Sequence, residues 1–81
     1  MTSFTERVLK TLDEYDSLSS AGRIATIVQL RTIFSKCSFS EAMDAIDQIS
    51  DIKHLNVLLG VGMKGELYYK IAGRIAFLKG Y

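Results

Sequence analysis

The sequence predicts an all-α fold, a compact bundle of four to five short helices forming one domain over residues 1 to 81. Three observations predict it. Apolar residues recur at helical intervals over most of the chain, S-x-x-E capping boxes stand at Ser3/Glu6 and Ser38/Glu41, and clusters of serine and glycine punctuate the chain at 17 to 20 and 60 to 65.

The first helix runs from about 4 to 15, because Ser3 and Glu6 cap it and Phe4, Val8, Leu12 and Tyr15 follow at helical spacing. The serines at 17 to 20 end it. A second amphipathic helix covers about 20 to 35, with Ile24, Ile27, Val28 and Phe34 marking its inward face. Ser38 and Glu41 open the third helix, in which Phe39, Ala42, Met43, Ile46 and Ile49 share one arc and Glu41, Asp44, Asp47, Gln48 and Asp51 the opposite one. Carboxylates opposite an apolar stripe are the solvated side of a surface helix, not a metal or general-acid site. A fourth short helix contains Ile52, Leu55, Leu58 and Leu59 and is stopped by Gly60 and Gly62.

Residues 66 to 79 admit two structures. As a helix they place Leu67, Tyr68, Ile71, Ala72, Ile75 and Leu78 on one face and leave Tyr69, Lys70, Gly73, Arg74 and Phe77 outside. As a β-hairpin at about 67 to 78, turning at Ala72 and Gly73, they complete a winged helix-turn-helix. The helix is favoured because Ala72 and Ala76 suit helices and Ala-Gly makes a poor type I′ turn.

A chain of 81 residues buries a small fraction of its surface, and such chains often add a disulfide, a metal or a partner. Cys37 is the only cysteine and His54 the only histidine, so neither an intramolecular disulfide nor a Cys/His metal site can form within one chain. That leaves a partner, and 48% hydrophobic residues with positive mean hydropathy point the same way. No stretch approaches the roughly 18 apolar residues of a spanning helix, so no membrane association is expected. One unpaired cysteine and the lack of a signal-like start predict a cytoplasmic location.

The net charge is +1, but it is polarised: residues 1 to 51 carry 5 basic and 8 acidic side chains, residues 52 to 81 carry 5 basic and 1 acidic. Attraction between the halves, or an anionic partner for the C-terminal part, would each use that asymmetry.

Gly60-Val61-Gly62-Met63-Lys64-Gly65 is a literal G-x-G-x-x-G after a strand-like run, Leu55 to Leu59. Only 16 residues follow Gly65, too few for the rest of a dinucleotide-binding sheet. The segment is read as a glycine-rich connection. The reduced alternative, backbone N–H groups of 62 to 66 with Lys64 holding a phosphate, stays open. Ala-Gly-Arg-Ile-Ala occurs at both 21 to 25 and 72 to 76. Its flanks differ, which argues against duplication, but a helical glycine costs about 1 kcal/mol against alanine and so suggests a close helix crossing at Gly22 or Gly73.

No feature brings Cys37 and His54 together or supplies an orienting third group, so no catalytic residues, metal or cofactor are assigned. The function expected is that of a small non-enzymatic interaction or regulatory protein, a homodimer that binds a macromolecular partner through its basic, aromatic C-terminal segment. Tyr69, Gly73, Ala76 and Phe77 are the candidate interface. The alternative is a winged-helix nucleic-acid-binding regulator using Lys53, Lys64, Lys70, Arg74 and Lys79, against which stands the near-neutral net charge.

Overall fold

Four of the five helices begin where an oxygen-bearing side chain meets unpaired backbone N–H groups. The computed structural model describes residues 3 to 80. In α1 (Phe4–Tyr15) Ser3 Oγ accepts from the Glu6 amide, and in α2 (Ser20–Lys36) Ser19 Oγ accepts from that of Gly22. In α3 (Phe39–Gln48) Ser38 and Glu41 complete a reciprocal capping box, the Glu41 carboxylate accepting from the Ser38 amide at 3.1 Å. In α4 (Ile52–Val61) the Asp51 carboxylate accepts from the Lys53 amide. Each bond satisfies a donor that has no intrahelical partner.

The connection into α5 (Glu66–Leu78) is made by backbone shape instead. Gly62 ends α4 at φ 92° and Gly65 precedes α5 at φ 66°, conformations that a side chain strains to reach. Gly60, expected to help stop α4, lies inside it. The run Leu55 to Leu59 is helical too, so the strand required by a dinucleotide-binding turn is missing.

All five elements are helices, with no strand among the described residues. The hairpin at 67 to 78, and with it the winged helix-turn-helix, is therefore corrected. Leu67, Ile71, Ile75 and Leu78 make a 3.6-period stripe, whereas a hairpin would put Leu78 on the face opposite the other three, and Ala72 and Ala76 favour the helix. α1 packs on α3, α4 on α5, α2 on α4 and α3 on α5. Between them lie Val8, Leu12, Leu30, Phe34, Ile46, Ile49, Leu55, Leu58, Val61 and Ile71, all buried. Phe4 closes one end, edge-on to Phe34 at 5.3 Å.

Two arginines tie helices together end to side. Arg31 Nε, from α2, donates to the carbonyl of Val61 in the last turn of α4, and Arg74 Nε, from α5, donates to the carbonyl of Ile49 at the end of α3, both at 3.0 Å. A cation at a helix C-terminus meets both an unpaired acceptor and the negative pole of the helix dipole.

The inward face of α2 is not the one its spacing suggests. Thr26, Leu30 and Phe34 are buried, whereas Ile24 and Val28 are 65% and 53% exposed. Apolar and polar residues interleave all the way round α2, so its periodicity does not identify the buried side.

Candidate interaction surface

Burial of Ile71 and packing of the half-buried Leu67, Ile75 and Leu78 against the core fix the roll of α5 and turn Glu66, Tyr69, Gly73 and Phe77 outward. Tyr69 is 74% and Phe77 65% exposed. They stand two turns apart, about 12 Å along the helix, with Gly73 midway. A Cβ built on Gly73 would meet nothing within 4 Å, so the surface dips between two rings. The result is an open groove of about 360 Å³, lined by Asp47, Tyr69, Lys70, Gly73, Arg74 and Phe77.

Neighbouring groups hold the walls in place. The Phe77 ring has the Arg74 guanidinium 5.3 Å from its centroid, and Arg74 is itself anchored on the Ile49 carbonyl. Tyr69 is braced edge-on by Tyr68 at 5.7 Å. Lys70 Nζ lies 2.6 Å from Asp47 Oδ1, joining α5 to α3. That ion pair is partly solvated and contributes under about 1 kcal/mol; its consequence is geometric, because it commits a lysine that would otherwise reach outward. Exposed tyrosine, phenylalanine and arginine around a depression match the composition of interface centres.

Of the four residues expected to form an interface, Tyr69, Gly73 and Phe77 line this groove together. Ala76 is half-buried beside it and does not line it. Of the five basic residues assigned to nucleic acid, only Lys70 and Arg74 line the groove, and both have partners within the fold. Lys53, Lys64 and Lys79 are exposed. Lys64 and Lys79 flank opposite ends of α5, about 20 Å apart by helix rise. Sequence reasoning missed Asp47 and the Ile49 carbonyl as parts of the surface, and it placed Tyr68, which is exposed, on the inward face of the helix.

The two Ala-Gly-Arg-Ile-Ala copies sit in different surroundings. A Cβ on Gly22 would come within 3.2 Å of Leu18 Cβ, a contact local to the start of α2, whereas Gly73 faces open space. Neither marks a helix crossing within the chain. Gly73→Ala is accordingly expected to stabilise the dilute protein by up to about 1 kcal/mol, read as a higher urea midpoint with an unchanged slope.

The residues with nucleophile or base chemistry remain apart. Cys37 borders a cleft lined by Phe4, Arg7, Thr32, Ile33, Lys36 and Glu41, which does not include His54. Burial first, and the Glu41 carboxylate second, hold the Cys37 thiol above its ordinary pKa, the reverse of an activated thiolate. His54 lies between the Asp13 and Asp51 carboxylates, 4.0 and 3.9 Å from its ring nitrogens. Among the described residues no three His, Cys, Asp or Glu side chains are grouped to hold a metal ion, and no helix is long and apolar enough to cross a membrane. Compared with protein-family models, curated proteins and solved structures, the chain matches none.

Proposed function

We propose that the protein is a non-enzymatic interaction module, regulatory or structural in role, that engages a macromolecular partner through the outer face of α5. The observation that carries this reading is the pair of braced, exposed rings, Tyr69 and Phe77, on either side of Gly73. Burying two such rings supplies the apolar centre of an interface at little conformational cost, because Tyr68 and Arg74 already restrict them. The apolar excess of so short a chain is consistent with it.

Site-specific photo-crosslinking from position 77, with exposed position 10 on α1 as control, tests the reading. Protein adducts from position 77 that are absent from position 10 are expected. Equal labelling from both would contradict it. A nucleic-acid partner makes a separate prediction: binding to a mixed-sequence duplex that falls steeply between about 50 and 200 mM salt as counterions are released. Such binding would replace the protein partner in this account; the expected result is no duplex binding at either salt concentration.

A further inference from the structure

The residues on the outer face of α5 are spaced symmetrically: Tyr69 and Phe77 lie four positions either side of Gly73. A two-fold operation that crosses two such helices antiparallel along their i±4 rows, with Gly73 on Gly73, sets each Tyr69 against a Phe77, twice over. That reciprocity is the requirement of an isologous interface, in which one patch must complement itself. The missing side chain at Gly73, open to solvent in the single chain, lets two backbones approach at the crossing point.

The charges agree with the same arrangement. Glu66 and Asp47 balance Lys70 and Arg74 on and beside this face, so two copies meet without net repulsion. An acidic partner is less well served, because both cations are already engaged within the fold.

We infer that the occupant of the α5 face is a second copy of this chain, packed antiparallel about a two-fold axis through Gly73. The inference rests on the reading of α5 as the docking face and names its partner. Sedimentation equilibrium of the full chain from about 1 μM to 1 mM, a span that brackets weak and moderate affinities, should reveal a monomer–dimer equilibrium. Gly73→Gln puts a long side chain on the axis at a position with room for it in the monomer. It is expected to weaken dimerisation at least about tenfold while far-UV dichroism is unchanged, and Phe77→Ser should do the same. Ile24→Gln, on the exposed face of α2, should leave the dimer intact. A dimer broken by Ile24→Gln and indifferent to Gly73→Gln overturns the proposal.

Accessibility of the Tyr69 ring to a soluble paramagnetic probe separates the two levels of failure. A chain that stays monomeric with an accessible ring overturns self-pairing but leaves α5 as a docking face. A ring shielded in the dilute monomer overturns both.

Discussion

Leu58→Ala is expected to lower the unfolding free energy by about 3 kcal/mol, the middle of the range for a buried leucine, seen as a large drop in the urea midpoint. Leu58 is fully buried in α4, the helix that meets both α2 and α5. Removing it leaves a cavity where two packing seams join. A domain of this length has a total stability of about 4 to 12 kcal/mol, so the variant loses a large share of it. Ile24→Ala is the informative companion: 65% exposed, it should change stability by no more than about 0.5 kcal/mol. Equal effects of the two substitutions would mean that α2 is rolled differently from the structure described.

Arg31→Met is expected to cost about 1.5 kcal/mol, the lower end for a hydrogen bond from a charged donor, because the contact is only part-buried. The Val61 carbonyl belongs to the last turn of α4, where further helical amides are missing, so losing the Arg31 Nε donor removes a partner. Arg31→Lys should recover little of the loss, since an ammonium on a flexible stem does not reproduce the directed Nε–H. Urea unfolding of the three proteins checks this. Full rescue by lysine would assign the effect to charge at the helix terminus alone.

What could be read from the sequence follows from the range of the interactions involved. Helix starts at Ser3 and Ser38 are set by groups three residues apart, and both were legible. The outer face of α5 was legible for the same reason: once 66 to 78 is a helix, Tyr69, Gly73 and Phe77 share a side whatever surrounds them. The choice between helix and hairpin there was harder, since Leu67, Ile71 and Ile75 fit either period when taken in part. It is resolved by the stripe meeting α3 and α4.

Two things stayed hidden. Lys70 pairs with Asp47, and Arg74 with the carbonyl of Ile49 25 residues earlier, contacts that exist only once α3 and α5 pack. No local pattern announces them, and Asp47 looks like any other carboxylate on a solvated arc. The roll of α2 was misread because Ile24, Ile27, Val28, Leu30, Ile33 and Phe34 offer more apolar surface than one face can bury. Its neighbours decide which part goes inside.

The surviving apolar surface on α2 gives the central claim its sharpest competitor, since Ile24 and Val28 also lie one turn apart in solvent. Isotope-filtered NOE spectroscopy on a mixture of labelled and unlabelled chains decides between the two faces. The account predicts intermolecular contacts from the Tyr69 ring to the Phe77 ring of the other copy, centred on Gly73. Intermolecular contacts confined to Ile24 and Val28 would contradict it.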